Sequence, residues 1–147
     1  MSSSLYIPLR KIPKNLSEIK SIVCPFLSYP EELFVDYHLN DKPKKISDNI
    51  IYIEYQQEEY FLCFSNSVYE ITGSKEFNYD LEIMAINAKR MLLAIVAYSF
   101  CDENYIIFND DGLLGGNETF TKSELYDYLK ERYYLDPVFR QNYLMFI

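Results

Sequence analysis

His38 is the only histidine in the chain, so a two-histidine metal site or an imidazole relay cannot be assembled within one copy. Three cysteines, Cys24, Cys63 and Cys101, stand 39 and 38 residues apart, which is neither a disulfide framework nor a C-x-x-C metal motif. Each lies in an apolar run, so each reads as a buried thiol in a reducing compartment. A Cys–His nucleophilic pair has no local signature here. Glu58-Glu59 and Asp102-Glu103 are adjacent carboxylates, the residue type for acid–base work, but both pairs fall at expected turns. A solvated carboxylate is poorly matched to general-acid catalysis at neutral pH. The loop from Asn109 to Glu118 is rich in acids and glycines, yet it fails as an EF-hand. Gly112 at the sixth position places Ile107 first, and Gly116 there places Leu113 at a ligand position. Nor is it a phosphate loop, since Asn117 stands where the second glycine belongs. No catalytic residue, metal or cofactor is expected.

Charge says more than these motifs. The 147 residues carry 22 acidic and 14 basic side chains, a net charge of -8. That balance argues against direct nucleic-acid binding, which rests on Lys and Arg neutralising phosphates, and against an anionic membrane. Residues 1–45 are net +2 and residues 46–147 net -10. Residues 46–88 hold eight acids against Lys75 alone, and residues 101–119 hold five acids and no base. Fifteen tyrosines and no tryptophan accompany them, a bias an AT-rich genome explains in part. Tyrosine is also interleaved with acid: Tyr52, Glu54, Tyr55, Glu58, Glu59 and Tyr60, then Asp102, Glu103, Tyr105 and Asp110. Phenol rings among carboxylates suit ammonium and guanidinium groups, through ion pairs and cation–π contacts.

The elements that must position these groups read as one α+β domain over residues 1–147. The sheet is expected to be small and antiparallel, a hairpin or meander over about 50–72 plus a strand over about 104–109, with helices packed on one face. Ile50 to Tyr55 and Tyr60 to Phe64 are the hairpin strands, joined through Gln56 to Glu59, and Val68 to Thr72 is the third strand. Leu5 to Leu9 reads as an edge strand, Glu31 to Leu39 as strand or helix, and Asp41 to Asp48 as a solvated loop. Asn15 with Glu18, and Thr121 with Glu124, are helix-opening pairs; the second launches a helix over Lys122 to Tyr134. Asp136-Pro137 opens a final short helix. The spacing of Leu81, Met84, Ala88, Met91, Leu92, Ile95 and Val96 predicts an amphipathic helix over Leu81 to Ser99. The N-terminus lacks a basic region followed by an apolar stretch, and the longest uncharged apolar run, Met91 to Cys101, is too short to span a bilayer. A cytoplasmic protein is expected.

The stretch from Ala88 to Glu131 resembles the C-terminal part of small acidic bacterial toxin-immunity proteins. It runs from an alanine-containing helix through Tyr105 to Gly112 (YIIFNDDG) to Phe120 to Leu125 (FTKSEL) at the next helix start. The resemblance implies a cytosolic inhibitor, active in bacterial competition, that occludes the active site of a toxin domain, often a basic nuclease. Combined with the charge pattern, it gives an expected partner surface of Tyr55, Glu58, Glu59, Tyr60, Asp102, Glu103, Tyr105, Asp110, Asp111 and Glu118. The partner would be a basic protein. Two rival readings share the composition: a nucleic-acid-mimicking anti-defence protein of a phage, and a small carboxylate- or metal-dependent enzyme.

Overall fold

The computed structural model describes residues 4–38, 45–66, 77–85, 91–101, 106–109 and 119–144. The described strands are β1 (Ser4–Leu9), β2 (Phe34–Tyr37), β3 (Ile50–Tyr55), β4 (Glu58–Ser65), β5 (Tyr79–Ala85), β6 (Ile106–Asn109) and β7 (Thr119–Thr121). They form one sheet in the order β2-β3-β4-β5-β1-β6-β7, and every neighbouring pair is antiparallel. The helices are α1 (Leu16–Val23), α2 (Met91–Phe100), α3 (Lys122–Leu135) and α4 (Pro137–Asn142). α2 lies on β1, β4 and β5, with α1 and α3 against its flanks. The architecture is α+β.

Side-chain alternation explains the layering. Leu5, Ile7 and Leu9 on β1, Ile51, Ile53 and Tyr55 on β3, Tyr60, Leu62 and Phe64 on β4, and Leu81 and Ile83 on β5 are all buried. The register sets them side by side, for example Leu5 opposite Ile83 and Leu62 opposite both Ile83 and Ile51. They make the inner face, under the helices. Burying each such side chain contributes roughly 1.5–3 kcal/mol.

The helix starts follow the local signals. Asn15 Oδ1 accepts from the Glu18 amide at 2.9 Å. At α3, Thr121 Oγ1 accepts from the Glu124 amide and Glu124 Oε1 accepts from the Thr121 amide, both at 3.2 Å. Asp136 Oδ1 receives the Val138 amide at 2.9 Å and opens α4. Each such cap stabilises its helix by about 1 kcal/mol.

Four expectations need correction. Residues 81–85 belong to strand β5, and α2 is described from Met91, residues 86–90 lying outside the described residues. Leu81, Ile83 and Met84 fit either period, and pairing with β1 on one side and β4 on the other decides for the strand. β4 pairs with β5 on the side away from β3, while Val68 to Thr72, expected as a third strand, lies outside the described residues. β1 is interior, flanked by β5 and β6. Pro8 has no amide to donate, and it lies beyond the pairing with β6, which involves only Leu5 and Tyr6. Ile46–Asp48 is a 3-10 turn with Ile46 buried rather than part of a solvated loop, while residues 41–44 fall outside the described residues. Cys101 is buried as expected, but Cys24 and Cys63 are only half-buried.

Candidate functional site

The β3–β4 turn decides which side chains reach the second, outer face of the sheet. It consists of Gln56 and Gln57 alone, both with positive φ (53° and 68°). This is the twist a two-residue hairpin needs, at about 1–2 kcal/mol for each residue with a Cβ. Glu58 and Glu59 are therefore not turn residues but the start of β4, and they point to opposite faces. Tyr55 pairs with Glu58 on the inner face, and Glu54 with Glu59 on the outer.

Around Glu54 and Glu59 the outer face is acidic and aromatic. Two like charges directly opposite on a sheet destabilise it, and here a phenol lies between them. The Tyr52 hydroxyl donates to Glu54 Oε2 at 2.7 Å and also engages Glu59. Partial burial, followed by the hydrogen bonds and charges of Glu54 and Glu59, holds its pKa far above that of free tyrosine. Neither carboxylate has a cationic partner among the described residues. Beside them stand rings in edge-on contact: Phe34 with Tyr52 at 5.9 Å, Tyr52 with Phe61 at 6.2 Å, and His38 with Phe61 at 4.5 Å. Phe34 is 48% and Ile50 40% exposed, a large apolar presence for a sheet surface.

The same face continues across β5 and β1. Cys63 stands opposite Glu82, Ser65 opposite Asp80, and Tyr6 opposite Glu82. Ser65 Oγ donates to Asp80 Oδ1, and the Tyr6 hydroxyl donates to Glu82 Oε2 at 3.1 Å. Burial raises the Asp80 pKa; the Ser65 bond lowers it and the Glu82 charge raises it again. Burial likewise pushes the Cys63 thiol up, with Glu82 and Asp80 adding to the effect. A reactive thiol needs the opposite environment, so Cys63 is a poor nucleophile. Asp36, Glu54, Glu59, Asp80 and Glu82 all share this outer parity, and no Lys or Arg does among the described strand residues.

The inner face uses the same residue types differently. Glu58 is 2% exposed; its Oε1 accepts from the Tyr60 hydroxyl at 2.8 Å and from the Leu92 amide at 3.1 Å. The carboxylate thus satisfies a backbone donor in the first described turn of α2. The Tyr55 hydroxyl donates to the Asn142 carbonyl at 2.7 Å and accepts from the Tyr29 amide at 3.2 Å, joining α4 to the sheet. Burial raises its pKa to about 12. Among the described residues no partner lies within hydrogen-bond geometry of the buried Tyr143 hydroxyl, and burial, then the nearby Glu58 carboxylate, lifts its pKa well above the usual value.

Of the residues expected to meet a partner that lie among the described residues, only Glu59 is on the outer face. Tyr55, Glu58 and Tyr60 are buried on the inner face and are withdrawn from that surface, because the two-residue turn sets their parity. Asp102, Glu103, Tyr105, Asp110, Asp111 and Glu118 lie outside the described residues. Sequence reasoning left out Phe34, Asp36, Phe61 and Glu82 and treated His38 as an isolated residue. Counting by twos outward from Gln56-Gln57 would have sorted Tyr52, Glu54, Glu59 and Phe61 onto one face. Among the described residues no three or more His, Cys, Asp or Glu side chains are placed to hold a metal, and no helix is long and apolar enough to cross a membrane. No protein-family model matches the chain, and neither the curated proteins nor the solved structures contain a significant match.

Proposed function

We propose that the chain is a small inhibitory binding protein of the toxin-immunity type, which docks a cationic protein on the outer face of its sheet. One observation carries the reading. Glu54 and Glu59 face each other across Tyr52 with no cation among the described residues to offset them. An arrangement that costs stability in the free protein gains most when a guanidinium or ammonium group arrives. Phe34, Phe61 and Tyr52 supply flat rings that a bound partner would desolvate, and aromatic anchors of this kind dominate binding energy. The net charge of -8 would speed the encounter with a basic toxin domain. Inhibition would be stoichiometric occlusion, with carboxylates taking the places that substrate phosphates occupy on a nuclease.

The test is capture from extracts of the native host on immobilised protein, compared with the Glu54→Lys/Glu59→Lys double variant. The expected result is a basic protein retained at low salt, released at high salt and not retained by the double variant. Retention that is equal on both, or no retention of a basic protein at any salt, would overturn the reading.

A further inference from the structure

Charge is distributed against the grain of the molecule at one place. A groove of about 820 Å³ opens between the end of β1 and the turn after it, α1, the last turn of α2 and the first residue of α3. Arg10, Lys11 and Lys122 line it, against Glu18 as the only acid among its described lining residues. Three of the chain's 14 basic side chains thus converge on one concavity of a protein with net charge -8. Glu18 is partly engaged, since its Oε2 accepts from the Lys14 amide at 3.4 Å. Lys122 is held in place by its own neighbour, its ammonium 4.7 Å from the centre of the Tyr98 ring. The floor is apolar, with Ile12, Ile22 and Phe100 half-buried and the Cys101 side chain closed off beneath.

We infer that this groove binds a small anionic amphiphile: one carboxylate or phosphate head on an apolar tail or ring. The volume falls within the range of small-molecule sites, roughly 300–1,000 Å³. Its chemistry divides as such a ligand does, with cations at the rim and hydrocarbon below. The two bordering helix ends oppose each other, α3 presenting its amide end and α2 its carbonyl end, so among the described lining residues the sign of the site rests on Lys11 and Lys122 against Glu18. The molecule's overall negative field works against an anion only at a distance. At about 0.15 M salt the screening length is ~8 Å, so remote acids fade while the rim cations still act. This site is separate from the outer sheet face and does not depend on the docking proposal.

The probes are octanoate and phenyl phosphate, with octanol, octylammonium and inorganic phosphate as comparators, titrated into the full chain. Amide shifts in proton–nitrogen correlation spectra locate the binding, and calorimetry gives the affinity. Octanoate or phenyl phosphate is expected to shift amides of residues 9–12 and 99–101, and to bind about tenfold or more tightly than any comparator. Lys11→Glu/Lys122→Glu should weaken that binding by at least about tenfold while leaving the rest of the spectrum in place. Lys11→Glu alone, at an exposed position, gives a smaller loss and serves if the double variant does not fold. Any of three results would sink the site: neither probe binding there, octanol or octylammonium binding as well as octanoate, or charge reversal without effect. Inorganic phosphate matching phenyl phosphate would also sink it, since the apolar floor would then contribute nothing.

Discussion

Strands β3 and β4 carry two nearly matched sets of tyrosine and glutamate, and the sheet gives them opposite roles. On the inner face Glu58 sits among Tyr55, Tyr60 and Tyr143, closed from water, and accepts the Leu92 amide at the start of α2. On the outer face Glu54 and Glu59 meet across Tyr52 with no helix amide to accept. The same carboxylate is structural where a backbone amide meets it inside the core, and stays at the surface where one shared phenol is its donor among the described residues. Composition alone cannot distinguish the two, because both sets have the same residues within ten positions of each other. What separates them is whether the hydrogen-bond inventory closes inside the chain.

That contrast can be broken most forcefully at the glutamates. Glu58→Leu strands the Leu92 amide and the Tyr60 hydroxyl in a buried site, and should cost about 3 kcal/mol in urea unfolding. Glu54→Leu removes half of a like-charge pair and should change stability by less than about 0.5 kcal/mol. Equal losses at both positions would mean the two faces are not functionally distinct. The tyrosines sharpen the same comparison at a smaller scale. Tyr55→Phe loses the bonds to Asn142 and Tyr29 and should cost about 1–2 kcal/mol, whereas Tyr52→Phe should be close to neutral.

The smallest effect concerns pH. Burial raises the folded-state pKa of Asp80 above that of an ordinary aspartate, so the native state holds that proton more firmly than the unfolded chain does. Stability from this group is therefore greatest at low pH and declines as pH rises from about 4 through the raised folded value. Asp80→Asn should flatten that decline in the urea midpoint as pH rises above about 4. An unchanged slope would show that Ser65 and local solvent already satisfy the charged form.

Three helix beginnings were legible because each is written within four residues: Asn15 with Glu18, Thr121 with Glu124, and Asp136 before Pro137. The β3 and β4 strands were legible because their runs of branched and aromatic residues are long and uninterrupted. β5 was not, since Leu81, Ile83 and Met84 satisfy a period of two as well as one near four, and only partners distant in sequence choose between them. The interior place of β1 was obscured by Pro8, which lacks an amide but lies outside the pairing with β6, confined to Leu5 and Tyr6. The outer face was half legible. Its residue types drew notice, yet its membership depends on a turn two residues long rather than four, and on β2, whose Phe34 and Asp36 join only through tertiary pairing.

The brevity of the Gln56–Gln57 link carries a consequence for how this hairpin can change over generations. Adding one codon there would either raise a bulge at the tip or turn β4 half a revolution about its own axis. In the second case Tyr60, Leu62 and Phe64 would meet water while Glu59, Phe61 and Cys63 would be driven beneath α2. Gains or losses at this tip should therefore come in pairs of residues.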